Sequence, residues 1–298
     1  MTHVATLISN PARPALDDAT IAVALDVLSG AQAPRSLDPG IAVDIPFTPD
    51  GASDKAIAGR LRTALKDAAI DIAVQPLASR RKGLFVADMD STMIGQECID
   101  ELADHVGLKA HVAAITERAM RGEIAFEPAL RERVALLKGL PVATVDEVIA
   151  KRITLTPGGR TLVATMRANG AHTCLVSGGF TLFTGRIAAM IGFDEHRGNV
   201  LDIHDGKLTG RVDEPILGRE AKLATLIELR DRLGLSAADT LAAGDGANDL
   251  AMIEAAGCGV AYYAKPMVAD AAHARIDHGD LTALLYLQGY ARTDFVER

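Results

Sequence analysis

The apolar residues Leu84, Phe85, Val86 and Ala87 run straight into Asp88-Met89-Asp90-Ser91-Thr92, and this junction constrains the chain more than any other. A run so short, rich in strand formers and preceded by Gly83, predicts a buried central strand. Two carboxylates two residues apart at its end are costly to desolvate unless a cation compensates. A divalent metal would do so. The pair then suits chemistry in which one aspartate is nucleophile and the other proton donor. A turn rich in Asp and Ser that merely ends a strand is the alternative.

The same grammar recurs. Thr173-Cys174-Leu175-Val176 leads into Ser177-Gly178-Gly179, and Thr240-Leu241-Ala242-Ala243 leads into Gly244-Asp245-Gly246-Ala247-Asn248-Asp249. Between them, Lys222 lies in a run, 219–230, where Leu223, Leu226, Ile227 and Arg230 follow helical spacing. Open parallel sheets bind ligands beyond the carboxyl ends of their strands, so Asp88, Ser177 and Asp245 are expected at one rim. The fold class expected is α/β, a doubly wound and mostly parallel sheet.

Taken in order, Asp-x-Asp-Ser-Thr at 88–92, Ser-Gly-Gly-Phe at 177–180, Lys222 and Gly-Asp-Gly-Ala-Asn-Asp-Leu at 244–250 resemble the four motifs of the haloacid dehalogenase superfamily of phosphatases. Glu97-Cys98-Ile99-Asp100-Glu101-Leu102-Ala103, residues 126–138, Asp205-Gly206-Lys207-Leu208-Thr209-Gly210 and Ala264-Lys265-Pro266 narrow the resemblance to the phosphoserine phosphatase family. The match runs from about Leu84 to about Leu287.

That resemblance implies hydrolysis of O-phospho-L-serine to L-serine and phosphate, the last step of serine biosynthesis. Asp88 would attack phosphorus to give an aspartyl phosphate. Asp90 would protonate the departing serine oxygen and later deprotonate water, so it must hold a proton when substrate arrives. Hard carboxylates and a phosphate suit Mg2+. Its implied ligands are the Asp88 and Asp245 side chains and the backbone carbonyl of Asp90, with Asp249 behind them as an orienting partner. Ser177 and Gly178 would hold a phosphate oxygen, and Lys222 would balance the charge. Glu97 would take the substrate ammonium and Arg133 its carboxylate, with Asn248 helping to place it. Met120 and Phe126 are expected as an apolar wall or as plain core.

The segment from about 95 to 152 interrupts the sheet pattern and reads as a helical cap. Leu130, Val134 and Leu137 share a helical face. At ~100° per residue Arg133 falls within it, either snorkelling to the surface or aimed at a buried anion. Residues 199–204 and 207–212 read as a hairpin across Asp205-Gly206.

The basic stretch Ser79-Arg80-Arg81-Lys82 divides the chain into residues 1–79 and 80–298. Before it, strands are expected at 4–8, 41–47 and 72–77, helices at 17–28 and 54–66, and a Pro-rich loop at 33–39. This is a small α+β domain, distantly similar to the amino-acid-binding regulatory modules of the ACT type; a packing or homodimer-forming role is the other reading. A net charge of −8 over 298 residues argues against a nucleic-acid partner. Neither a signal segment nor an apolar run of membrane-crossing length is visible, so the cytoplasm is expected. Cys98, Cys174 and Cys258 read as small buried hydrophobes. A phosphotransfer receiver, another small-phosphomonoester phosphatase or phosphotransferase, and a non-enzymatic ligand sensor are the competing readings.

Overall fold

The computed structural model describes residues 1–120 and 123–297, the side chain of Met120 excepted. It opens with β1 (His3–Ser9), α1 (Asp18–Val27), β2 (Arg35–Asp38), β3 (Ala42–Phe47), α2 (Asp54–Ala64) and β4 (Ile70–Pro76). The strands form an antiparallel sheet in the order β2-β3-β1-β4. Asp17 and Ser53 cap the two helices by accepting from the backbone N–H groups of Thr20 and Ala56. Ala24, Ile57 and Leu61 on the helices pack against Leu7, Ile45 and Val74. The loop expected at 33–39 contains β2. That strand pairs only with β3 and buries only Leu37 well, so no alternation marks it in the sequence.

The opposite face of this sheet is covered too. Ile8, Leu37, Ala42 and Ala73 join the main core with Tyr286 and Tyr290. Polar groups lock the junction. Arg80 donates to Asp44 at 2.7 and 3.0 Å, to Thr6 Oγ1 and to the carbonyls of Tyr286 and Leu287. Asp71 accepts from the backbone N–H groups of Asp277, His278 and Gly279.

The second sheet begins with β5 (Leu84–Ala87). Helices α3 (Cys98–His105), α4 (Lys109–Met120), α5 (Phe126–Ala135) and α6 (Ala143–Arg152) follow. Then come α7 (Gly159–Ala168), β6 (His172–Phe180), α8 (Thr181–Ile191), β7 (Glu195–Asn199), β8 (Leu201–His204), β9 (Lys207–Val212) and α9 (Arg219–Arg232). The chain closes with β10 (Thr240–Gly244), α10 (Leu250–Ala255), β11 (Cys258–Tyr262), α11 (Pro266–Ala271), β12 (Ala274–Ile276) and α12 (Ala283–Leu287).

The sheet order is β12-β11-β10-β5-β6-β7, with every pairing parallel. From β5 the chain winds outward through β6 and β7, then crosses back to β10 and winds the other way. The order therefore reverses between β5 and β10, which opens a crevice at their carboxyl ends. All four residues of β5 are fully buried, as a strand covered on both faces requires.

Asp205 and Gly206 both have positive φ, 49° and 71°, in the tight turn joining β8 to β9. This hairpin pins the end of α5, because Leu208 exchanges backbone hydrogen bonds with Gly139 and Leu140. Its first arm is shorter than expected: Asn199 ends β7, an edge strand of the main sheet, rather than starting the hairpin. The cysteines are free and buried. No helix among the described residues is long and apolar enough to cross a membrane.

Candidate active site

Strands β10, β5 and β6 are neighbours, so the polar residues that follow their apolar runs meet. In register, Ala87 lies beside Ala243 and Leu175, one step before Asp88 leaves the sheet. The Asp88 backbone N–H still donates to Ala243 O at 2.9 Å. The residue, 5 % exposed, is therefore fixed at the head of the crevice. The chain turns sharply there: Asp90 is extended (φ −68°, ψ 137°) and Ser91 takes φ +56°. Asp88 Oδ1 accepts from Met89 N–H at 2.8 Å.

Lys222 reaches in from α9. Its Nζ, buried like the rest of the residue, lies 2.6 Å from Asp88 Oδ1 and 2.5 Å from Asp249 Oδ1. Burial alone would lower the ammonium pKa; Asp88 and Asp249 outweigh it and hold it above the ordinary lysine value. Burial pushes the Asp88 carboxyl well up, against the pull of Lys222 and with the help of Asp249 and Asp90. Asp245 is raised as well, by burial first and by Asp249 second.

Asp249 carries more than a charge. Its Oδ2 accepts from the backbone N–H groups of Asp245 at 3.2 Å and Gly246 at 2.9 Å, which shapes the loop that presents Asp245. A Cβ on Gly244 would lie 2.4 Å from Asp249 Cγ, so only glycine lets this carboxylate fold back under its own strand.

Oxygen atoms of Asp88, Asp245 and Asp249 lie within 4.8 Å of one another. With Asp90 beside them, these carboxylates outnumber the Lys222 ammonium, and the donors are all hard oxygens. The set fits a hard divalent cation, which would remove the excess negative charge.

Asp90 is held from two sides. Oδ2 accepts from Ser177 Oγ at 3.0 Å, and Oδ1 accepts from the backbone N–H of Cys98 at 2.9 Å. Ser177 Oγ in turn accepts from Gly179 N–H at 2.8 Å. The Cys98 amide is the first of α3, so this helix contributes a donor to the Asp90 carboxylate. Side-chain reading missed this contact because it comes from the backbone. It also missed Thr92, whose Oγ1 donates to Asp245 Oδ1 at 3.1 Å.

A cavity of about 540 Å³ opens over these groups, lined by Asp88, Asp90, Ser177, Gly178, Asp245 and Asn248 below and by Glu97, Phe126 and Arg133 of the cap above. Glu97 precedes α3, but its side chain makes no cap hydrogen bond; it takes Ser91 Oγ at 2.7 Å instead. Desolvation in the cavity, then the charge of Asp90, push its carboxyl to about 7. Arg133 does not snorkel away: it is partly buried, donates to Ala129 O at 3.3 Å and lies 3.5 Å from Thr116 Oγ1. Burial lowers its pKa, opposed by Asp100 and Glu97. Asn248 is exposed at the rim, and Phe126 stands 42 % exposed over Gly178. The expected contribution of the Met120 side chain lies outside the described residues. Asp100, Thr116 and Lys265 also line the cavity, without having been singled out as site residues from the sequence.

Comparison with known proteins agrees with this geometry. The haloacid dehalogenase-like hydrolase family matches residues 85–254. A phosphoserine phosphatase of Polaromonas sp. is 49% identical over 223 residues, 73% of this chain and 94% of that protein. A solved HAD family hydrolase from Salmonella enterica superimposes with a TM-score of 0.86 at 30% identity, covering 96% of this chain and 98% of the other. An unliganded probable phosphoserine phosphatase from Vibrio cholerae gives 0.80 at 31%, covering 98% and 88%. The chain belongs to the haloacid dehalogenase-like hydrolases.

Proposed function

We propose that the protein hydrolyses O-phospho-L-serine to L-serine and phosphate, the last step of serine biosynthesis. The observation that carries this is one cavity in which an anion, Glu97, and a cation, Arg133, hang over the Asp88–Asp90 pair. Phosphoserine presents an ammonium, a carboxylate and a phosphoryl group, and the cavity offers a complement to each.

In the reading we favour, Asp88 Oδ attacks phosphorus while the P–O bond to serine breaks. The serine oxygen takes its proton from Asp90, since an alkoxide is a poor leaving group. Water then attacks the acyl phosphate, Asp90 receives the water's proton, and phosphate leaves with Asp88 restored. Ser177 Oγ and the backbone at Gly178 steady the phosphoryl oxygens, and Lys222 balances the charge of nucleophile and phosphate. Glu97 takes the ammonium, Arg133 the carboxylate, and Asn248 helps to place the substrate. Mg2+ is the cofactor we assign, held by the Asp88 and Asp245 side chains and the Asp90 carbonyl; when bound it neutralises charge on the transferred group. Asp249 stays behind the ligands, since Lys222 and two backbone amides already engage its oxygens.

We take residues 1–79 as a separate α+β module and 80–298 as the phosphatase domain, with its cap at about 95–152. Support comes from the module's own apolar cluster under α1 and α2. With both faces of its sheet covered, a homodimer through this module would use the free β2 edge, which analytical ultracentrifugation tests. Three free cysteines suit a reducing, cytoplasmic compartment.

Phosphate release from phosphoserine, phosphoethanolamine, phospholactate and p-nitrophenyl phosphate, with and without Mg2+, tests the assignment. Phosphoserine should have the highest kcat/KM, and chelation should abolish it. A clear preference for any of the other three would redirect the assignment to another small phosphomonoester.

A further inference from the structure

A second cavity, about 640 Å³, lies away from the catalytic crevice, at the amino ends of the main-sheet strands, between β4 and the start of α2 on one side and residues 271–274 on the other. Its walls are mostly apolar, with Val74, Pro76, Leu287 and Cys258 among them. Of the charged residues that line it, Asp54 and Lys55 are not buried and Lys55 donates to the Asp270 carbonyl, whereas Lys82 is set into the walls. Lys82 is 8 % exposed, and its Nζ donates to the carbonyls of Ser79 at 2.7 Å and Ala238 at 2.6 Å. An ammonium has three N–H donors, so one remains. Among the described residues no carboxylate lies within 4.0 Å of it.

A buried charge whose hydrogen bonds go only to carbonyls is costly; burial lowers its pKa, with Asp239 acting against that from beyond contact distance. His273 lines the same cavity. Its Nδ1 accepts from the Gly259 N–H at 3.2 Å, which leaves the ring proton on Nε2 as a further donor. The carboxylate nearest the mouth, Asp54, already faces His3 at 3.4 Å. The cavity thus combines a buried cation with no carboxylate in contact, a second donor and apolar walls, at a volume suited to a small organic ligand.

We propose that this interdomain cavity binds a small organic carboxylate, its anionic end on Lys82 and its apolar body against Val74, Pro76 and Leu287. With Lys55 engaged by the Asp270 carbonyl, a phosphate dianion would need more donors than Lys82 and His273 provide. The site is separate from the phosphatase reading and does not depend on it.

Calorimetric titration of the full-length protein with 4-phenylbutyrate and with its uncharged amide tests the proposal. The acid should bind one per chain, and the amide about tenfold or more weakly, the worth of a charge-assisted contact. Lys82→Met keeps the aliphatic stem; it should weaken the acid by the same factor while hydrolysing phosphoserine at the wild-type rate. Ala272→Phe, which fills the cavity without touching the charge, should remove binding of both. Arg133→Ala should bind the acid as wild type does, which separates this site from the catalytic one. Equal binding of acid and amide, undiminished binding by Lys82→Met, or no binding of the acid up to about 10 mM overturns the proposal.

Discussion

Lys222 Nζ lies 2.6 Å from Asp88 Oδ1, both side chains almost wholly removed from solvent. Removing one partner from such a pair leaves an uncompensated buried charge, at a cost of about 3–5 kcal/mol. Lys222→Met should therefore destabilise the metal-free protein by that amount in urea unfolding, and should lose nearly all turnover. Added Mg2+ should raise its melting temperature more than it raises the wild type's, because the carboxylates then have their cation back. A variant as stable as wild type without metal would mean that the lysine does not neutralise this cluster.

Asp90 accepts from both the Ser177 hydroxyl and the first amide of α3, and in the proposed mechanism it is the shared acid and base. Asp90→Asn should slow phosphoserine far more than p-nitrophenyl phosphate, whose aryloxide leaves without help. Steady-state kinetics on both substrates decide it. Equal losses would reduce Asp90 to a shaping role.

Arg133→Ala should lower kcat/KM for phosphoserine by about ten- to a hundredfold, the worth of a charge-assisted contact to the carboxylate. The loss should nearly vanish for phosphoethanolamine, which has no carboxylate. Glu97→Gln should show the mirror image, hurting phosphoserine and phosphoethanolamine and sparing phospholactate. Uniform losses across substrates would instead assign both residues to holding the cap.

Glu97 also sets a pH dependence. With its carboxyl raised to about 7, it is protonated below that value and cannot hold the ammonium; above it, the carboxylate is present. The ratio of kcat/KM for phosphoserine to that for phospholactate cancels the titration of the phosphate they share. That ratio should fall as pH drops below about 7 in the wild type and stay flat in Glu97→Gln. A flat wild-type profile from pH 5 to 8 would place the ammonium elsewhere.

The catalytic rim was legible because each of its strands is an apolar run broken by a polar group, and β10, β5 and β6 lie side by side. Other strands had no such mark. β7 reads Glu-His-Arg-Gly-Asn and is a strand only because it lines the edge of β6; β12 has three residues. At the site, Arg133 stood out as a charge within an apolar helical face, whereas Glu97 and Lys222 were marked only by their places in the motifs that carry the family resemblance. The Cys98 amide was invisible, since any residue offers a backbone N–H and only the approach of α3 aims this one at Asp90. The link from Arg80 to Asp44 and to the carbonyls of Tyr286 and Leu287 was equally hidden, joining residues more than 200 positions apart.

The central claim is that Asp88 carries the phosphoryl group between the two half-reactions. Rapid acid quench of the enzyme turning over 32P-labelled phosphoserine, followed by borohydride reduction and peptide mass spectrometry, reads this directly. The account expects a single acyl phosphate, reduced to homoserine at position 88, and none in a folded Asp88→Asn protein. Label on any other side chain, or full turnover by Asp88→Asn, would contradict it.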